Sequence, residues 1–454
     1  MSDTIAAIAT PTAPAGLGVI RLSGPDAVAV AEKVFRPAAA HKSIAAQEGY
    51  TALYGHAADQ DGVIDDCVAL IFRAPHSYTG ENVVELSCHG GVYLLRRVLR
   101  ACFAAGARPA SAGEFTRRAF QNGKMDLAQA ESVMDLIAAE GKLAAKTALA
   151  AREGALAKAL APLLDALLGV SAQMAAFVDY PDDDIPDLSN EALAAVLADA
   201  ETTLSRLLDT FDAGRVLREG VVTAIVGTPN VGKSTLMNLL AGCERSIVTE
   251  LAGTTRDVVE ETVRLGEVTL RLADTAGIHE TCDRVESIGV ARARDRLAQA
   301  ALVLCVFDAS RPLVEDDRAL IAALDPARTV AVINKTDLPA VWGESELAAI
   351  PARVMLSAQK GEGLSQLAAA VETVTGVAHL DGAAPMLATE RQYDCVWRCR
   401  EALREAQAAL CAGWTLDAVN VSLDSGMNAL LELSGERTTE AVVNEVFARF
   451  CVGK

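Results

Sequence analysis

The stretch VVTAIVGTPNVGKST, Val221 to Thr235, decides how the rest of the chain is read. Its first half is an apolar run rich in β-branched residues, as a buried strand requires. Its second half fits G-x-x-x-x-G-K-[ST], with Gly227, Gly232, Lys233 and Ser234 at the fixed positions. The chemistry of phosphate explains that spacing. Glycines let the loop wrap tightly, so that backbone N–H groups over Asn230, Val231 and Gly232 point at phosphate oxygens. Lys233 adds a point charge for the β- and γ-phosphates, and the Ser234 hydroxyl can hold Mg²⁺. A helix expected from Thr235 to Ala241 puts its positive end under the same anion.

Further motifs follow at the ends of expected strands. Thr249-Glu250-Leu251-Ala252-Gly253-Thr254-Thr255, continuing into Arg256-Asp257, comes after the first helix, where a switch loop belongs. A threonine there, Thr255, can complete the Mg²⁺ shell and order the loop only when a γ-phosphate is present. The strand Val268 to Leu272 leads into Asp274-Thr275-Ala276-Gly277. Asp274 can hold the metal through water, and the Gly277 N–H can meet the γ-phosphate. Another buried strand, Thr329 to Ile333, ends in Asn334-Lys335-Thr336-Asp337. A carboxylate here accepts both the ring N–H and the exocyclic amine of guanine. Adenine lacks that donor pair and would leave Asp337 unpaired. Ser357-Ala358-Gln359 follows the next strand and can place a backbone N–H on the guanine O6. Taken in this order, the motifs specify GTP. Ras-type GTPases place a glutamine directly after the DxxG glycine to orient the attacking water. Here that position is Ile278, whose apolar side chain cannot do so. Asp283, Arg284 and Glu286 follow closely, each open to a catalytic or a solvated-surface reading.

At 454 residues the chain is too long for one core, and two to four domains are expected. Aromatic residues are scarce and alanine is abundant, which favours closely packed helices. No apolar run is expected to reach transmembrane length, and the N-terminal MSDTIAAIATPTAP has no basic region ahead of an apolar one. No membrane span, no secretory signal and a cytoplasmic location are therefore expected. The ten cysteines form no CxxC pair or Cys/His cluster and read as reduced thiols. Cys395 and Cys399 could share a helix face, where packing explains them. A formal charge of −19 argues against broad electrostatic binding of nucleic acid. An RNA partner would dock on a local basic patch or with help from another protein.

Residues 1–120 read as mixed α/β, with strands at Gly18 to Leu22, Val68 to Phe72 and Val83 to Leu86, and helices at Asp26 to Phe35 and Val92 to Phe103. From Met125 the pattern is helical, broken by the acidic segment Pro181 to Asp187. It resumes to about Phe211 with Leu193, Leu197, Leu204 and Leu208 on one stripe. Beyond Ala383 helical character returns. The fold class expected is α/β and α multi-domain: an N-terminal α/β domain over 1–120, a discontinuous helical domain over 121–216 and 379–454, and an inserted Ras-like P-loop G domain over 217–378.

With these residues in hand, the chain resembles the MnmE (TrmE) family of tRNA-uridine-modification GTPases, within the TrmE-Era-EngA-like GTPases. The resemblance covers the whole chain. It rests on GVIRLSG at Gly18 to Gly24, SYTGENVVEL at Ser77 to Leu86, GKMDLAQAE at Gly123 to Glu131, GTTRD, DTAG and the terminal FCVGK. It implies an N-terminal domain that dimerises and binds a 5-formyl- or 5,10-methylene-tetrahydrofolate one-carbon donor. Arg21, Glu85 and Lys124 match the family's folate positions, and Lys454 reaches them from the far end of the chain. Arg and Lys suit the glutamate tail of a folate, and a carboxylate suits the pterin N–H groups. The resemblance also implies K⁺ where other systems place an arginine finger, which contributes about 10³–10⁵ in rate. Asn230 matches its side-chain ligand, and Thr249, Leu251 and Thr254 the switch-loop positions that supply further oxygens. Glu286 aligns with the family's catalytic glutamate, which orients water through a second water. The implied partners are a second copy of the chain in a homodimer, the flavoprotein MnmG in a heterotetramer, and tRNA. Together they install a carboxymethylaminomethyl or aminomethyl group at C5 of the wobble uridine. Cys451 sits beside the implied one-carbon site, as a nucleophile with a pKa depressed by Lys454 or as a packing residue. The competing function is a regulatory GTPase switch in ribosome assembly or at membranes, without modification chemistry. The folate motifs and the C-x-G-K tail argue against it.

Overall fold

A computed structural model describes residues 3–179, 189–242, 261–272 and 300–454. The chain divides into two compact units, Met1–Met134 with Leu431–Lys454, and Asp135–Leu430.

In the first unit, strands β1 (Ile5–Ile8), β2 (Ala15–Ser23), β3 (Phe35–Pro37), β4 (Thr51–Asp59), β5 (Gly62–Phe72), β6 (Val83–Gly90) and β7 (Arg108–Pro109) form one sheet among the described residues. Its order is β3-β4-β5-β6-β2-β1-β7. Neighbours are antiparallel except β1 and β7. Strand alternation explains the layering. Ile20 and Leu22 of β2, with Val84 and Leu86 of β6, join a core closed by Val30, Ala31 and Val34 of α1 (Ala27–Val34) and Leu95, Val98 and Cys102 of α2 (Val92–Ala104). The residues in between, Arg21 and Glu85, are register partners and lie on the other face. Of these, β2, the second half of β5, β6, α1 and α2 answer to elements expected from sequence, whereas β1, β3, β4 and β7 do not. Two further helices follow, α3 (Glu114–Gln121) and α4 (Leu127–Ala138). Leu127, Ala130 and Val133 pack with Val443, Phe447 and Phe450 from the helix Glu440–Ala448 and the tail beyond it.

That tail then lies along the sheet. Val452 bridges Ala112, and the Phe115 N–H donates to the Lys454 carbonyl at 3.2 Å. Gly453 has φ 102°, and a Cβ there would stand 2.4 Å from the Ile8 carbonyl oxygen, so this close approach requires glycine.

The second unit contains α5 (Lys142–Arg152), α6 (Ala155–Asp179), α7 (Asn190–Leu208) and α8 (Phe211–Glu219), then β8 (Val221–Val226) and α9 (Lys233–Ala241). The hairpin β9 (Glu261–Leu265) and β10 (Val268–Leu272) comes next, then β11 (Leu302–Asp308), α10 (Glu315–Ala323), β12 (Thr329–Asn334), β13 (Ala352–Met355), α11 (Leu364–Val374), α12 (Glu390–Cys411) and α13 (Leu416–Ser434). Its sheet runs β13-β12-β11-β8-β10-β9 among the described residues, parallel except for the β9–β10 pair. Every residue of β11 and β12 is buried, which is why these strands read as continuous apolar runs.

In the helical part, α7 packs along α12, and Leu193, Leu197, Leu204 and Leu208 are all buried, as their spacing requires. Cys395 and Cys399 are buried on the same face of α12 as Val396 and Leu403, which is the packing role expected of them. The acidic segment Pro181 to Asp187 lies outside the described residues. One sequence expectation needs correction: Ala155–Phe177 of α6 is long and apolar enough, by length and composition, to cross a membrane. Its alanine-rich outer surface raises the hydropathy. Its buried stripe of Leu156, Leu160, Leu163, Leu167, Val170 and Met174 is the pattern of a helix packed on one side.

The G-domain hairpin meets the helical part through polar contacts. Glu267, in the β9–β10 turn, accepts a hydrogen bond from the Leu143 N–H at 2.8 Å, and Thr269 donates to Glu140 at 3.1 Å.

Candidate functional site

The first candidate site sits where β8 and β12 end. The loop Gly227–Gly232 joins β8 to α9, whose N-cap is Gly232 at φ 97°. A Cβ on Gly232 would stand 2.3 Å from the Asn334 amide nitrogen, so the loop can lie this close to β12 only with glycine. The helix begins at Lys233, two residues earlier than its apolar pattern suggested. The N–H groups of Lys233, Ser234 and Thr235 are therefore first-turn donors with no intrahelical acceptor.

Lys233 is half-buried, and its ammonium donates to the carbonyls of Gly227 at 2.9 Å and Thr228 at 2.8 Å. An ammonium has three donors. The third makes no hydrogen bond among the described residues and is available to a phosphate oxygen. Burial lowers the Lys233 pKa below its usual value, while the nearby Cys305 works in the opposite direction. Val231 is buried and its carbonyl accepts from the Asn334 side-chain amide at 2.9 Å. Asn334 also accepts from the Ala358 N–H at 3.0 Å, so one buried side chain ties the phosphate loop to the base end of the site. Asn230 has φ 65°, and its carbonyl accepts from the Lys335 ammonium at 2.8 Å. Lys335 also pairs with Asp308 at 2.6 Å. Burial would raise the Asp308 carboxyl, but hydrogen bonds from Lys335 and Ser310 outweigh it and hold the pKa low.

At the base end, Asp337 accepts from the Ser357 hydroxyl at 2.7 Å, and that bond lowers its pKa first of all. A carboxylate so held is ionised and aimed, and its remaining lone pairs can take two N–H donors. Ser357 is fully buried; its N–H donates to Glu362 at 3.0 Å. The Ser357 and Ala358 N–H groups are thus both engaged within the chain, and a ligand carbonyl would share the one on Ala358. Gln359 and Thr336 lie in the loops beside them.

For metals, the exposed Ser234 hydroxyl is a neutral oxygen of the kind Mg²⁺ takes. The exposed Asn230 side chain could likewise offer an oxygen to K⁺. The remaining expected positions lie outside the described residues: Thr249, Glu250, Leu251, Ala252, Gly253, Thr254, Thr255, Asp274, Thr275, Ala276, Gly277 and Glu286. No cluster of three His, Cys, Asp or Glu that could hold a metal occurs among the described residues.

The second candidate site is in the first unit. The Arg21 guanidinium donates to Glu85 at 2.7 Å and to the Gly453 carbonyl at 3.3 Å. It stands over the rings of Tyr78 and Phe115, 5.7 Å from each centroid. Burial lowers the Lys454 pKa, and the Arg21 charge lowers it further, against the pull of Glu85 and Cys451. Arg21, Glu85 and Lys454 are therefore brought together. Lys124 makes a different contact, donating to the Pro75 carbonyl at 3.2 Å. Cys451 is exposed rather than packed in a core.

Sequence reading missed Thr228, Arg311 and Asp317. Thr228 occupies a variable position of its motif, and Asp317 sits in an acidic first helical turn, where a solvated charge is the ordinary reading.

Two family models match. One is described as the MnmE helical domain, over residues 127–451, and the other as the GTP-binding protein TrmE N-terminus, over residues 4–124. A protein of Symbiobacterium thermophilum named tRNA modification GTPase MnmE is 43% identical, over 100% of this chain and 99% of its own length. One of the same name from Geobacter sulfurreducens is 41% identical over 100% of both. Among solved structures, Era of Aquifex aeolicus bound to GDP·AlF4⁻ is 27% identical and covers 40% of this chain and 66% of its own, with a TM-score of 0.25, too low to carry weight. With both family models and full-length relatives agreeing, the chain belongs to the MnmE family of tRNA modification GTPases.

Proposed function

We propose that this GTPase uses GTP hydrolysis to drive modification of the wobble uridine of certain tRNAs at C5, working as a homodimer with MnmG in the cytoplasm. The observation that carries the modification part is the polar cluster at the tail. Arg21 holds both Glu85 and the Gly453 carbonyl beside the partly buried Lys454. A nucleotide switch has no use for such a cluster. Two cations suit the carboxylates of a tetrahydrofolate glutamate tail, and the partly exposed Tyr78 offers an aromatic ring beside them. One Glu85 oxygen is taken by Arg21; the other has no hydrogen bond among the described residues and can accept from a pterin N–H. Lys124 would join from the neighbouring loop. When bound, the folate supplies the one-carbon unit.

In the nucleotide site, the backbone from Asn230 to Thr235 and Lys233 hold the phosphates, Asp337 selects guanine, and Asn334 and Lys335 brace loop and base end together. Ser234 and Thr255 would hold Mg²⁺, and Asp274 would reach it through water. Asn230, Thr249, Leu251 and Thr254 would hold K⁺, which when bound would supply the positive charge that an arginine finger supplies elsewhere. Glu286 orients the attacking water.

Two measurements test this reading. GTP turnover is expected to be faster in K⁺ than in Na⁺ and to fall in Glu286→Ala; equal rates in the two salts sink the cation part. Mass analysis of wobble uridines from cells lacking the protein is expected to show loss of the modified nucleoside. An unchanged profile would favour the regulatory switch.

A further inference from the structure

We propose that Arg311 and Asp317 are positioning residues of the phosphate loop, acting through the Thr228 hydroxyl to hold the limb of the loop on which Lys233 rests. The proposal deepens the GTP-site reading above and rests on it. The Thr228 Oγ1 donates to Asp317 Oδ1 at 2.7 Å and accepts from Arg311 Nη2 at 2.7 Å. The same guanidinium donates through Nη1 to Asp317 Oδ2 at 3.1 Å, closing a triangle, and that oxygen also accepts the Val314 N–H at 3.1 Å. Donor and acceptor roles are fixed by chemistry. A carboxylate only accepts and a guanidinium only donates, so the hydroxyl proton points at Asp317 and its lone pair at Arg311.

The Asp317 side chain is 2% exposed. It lies in the first turn of α10, so its position is set by a helix rather than by a loop. Through this triangle the helix grips Thr228, whose own carbonyl, with that of Gly227, holds the Lys233 ammonium. Lys335 grips the loop again two residues later, at the Asn230 carbonyl. The limb Gly227–Asn230 is thus held at both ends by side chains of the protein itself, which lowers the ordering cost of nucleotide binding. The Thr228 hydroxyl gives its one proton to Asp317 and so has no donor left for a phosphate oxygen.

The test compares the full-length wild type with Thr228→Val, Thr228→Ser and Arg311→Gln, using a fluorescent GDP analogue for affinity and steady-state GTP turnover for KM and kcat. Thr228→Val leaves Asp317 Oδ1 buried without a donor. We expect GDP and GTP affinity to fall together by about tenfold, with the loss in KM more than in kcat, because the loop holds ground and transition states alike. Thr228→Ser keeps the hydroxyl and is expected to bind as the wild type does. Arg311 is partly exposed, so Arg311→Gln supplies the same readout should Thr228→Val fail to fold, with a several-fold loss expected. Wild-type affinity in Thr228→Val or in Arg311→Gln overturns the clamp, and so does equal weakening of the Ser and Val variants, which would make the methyl group the reason. A wild type that binds no GTP would instead overturn the nucleotide reading, and the clamp with it.

Discussion

The Glu267 carboxylate accepts a hydrogen bond from the Leu143 N–H at 2.8 Å, supplying from the β9–β10 turn the cap that α5 lacks. The N-cap of α5 is Gly141, which has no side chain to cap with. An acid at this end also meets the positive end of the helix dipole. Replacing Glu267 with alanine should therefore cost about 0.5–2 kcal/mol, the range for losing an N-cap. Urea unfolding of the full chain measures the loss, and hydrogen exchange at the Leu143 amide should accelerate. Unaltered exchange there would contradict the capping role.

Asp337→Asn should change the base preference. The carboxylate offers only acceptors to guanine, whereas an amide presents N–H groups against its N–H donors. Two charge-assisted hydrogen bonds of about 1.5–3 kcal/mol each are at stake, so GTP affinity should fall by at least about 100-fold. Xanthine carries a carbonyl where guanine has the amine and should now compete better than GTP. Competition binding with the two triphosphates decides this.

Lys454→Ala should weaken binding of 5-formyl-tetrahydrofolate by about tenfold or more, the worth of one charge-assisted contact. The wild-type affinity should also drop at high pH. Because burial and Arg21 lower the Lys454 pKa, the ammonium is lost before its usual 10.5 is reached, and carboxylate binding goes with it. Titration calorimetry across that range checks both. An affinity unchanged by the substitution would remove Lys454 from the site.

Acid should unfold the first unit through one ion network. Arg118 is buried and contacts Asp3, Glu81 and Glu114, while Arg108 joins Asp3 and Glu114. Burial alone would raise the Glu114 carboxyl, but hydrogen bonds from Arg108, the Ser111 N–H and Arg118 bring it from 4.5 to about 2. Between those values the unfolded chain binds the proton and the folded chain does not. The stabilisation is complete above pH 4.5 and is lost as pH falls toward 2. Glu114→Gln should cost about 1–3 kcal/mol at neutral pH and flatten this limb of the stability curve. Circular dichroism of both proteins against pH tests it.

Sequence alone disclosed what short stretches of backbone dictate. The phosphate loop is legible because glycine, lysine and serine must stand at fixed offsets along one strand, loop and helix. The Asn334-Lys335-Thr336-Asp337 run is legible because it sits at the end of an apolar strand. The alternation of Ile20-Arg21-Leu22 against Val84-Glu85-Leu86 is likewise visible, though not that the two strands pair. What sequence could not disclose was contact between distant segments. Nothing near Thr228 announces Asp317, and nothing near Arg21 announces a carbonyl 432 residues away. The grouping of Arg21, Glu85 and Lys454 came from likeness to a family. The span-like composition of α6 is not legible as a packed helix because its alanines count as apolar while lying on the surface.

The tail contact has a consequence for synthesis. A ribosome makes residues in order, so Arg21 must wait for 432 further positions to be read before Gly453 arrives at its side. A nascent chain released early could already carry its nucleotide pocket and yet leave the Arg21 guanidinium without its Gly453 acceptor.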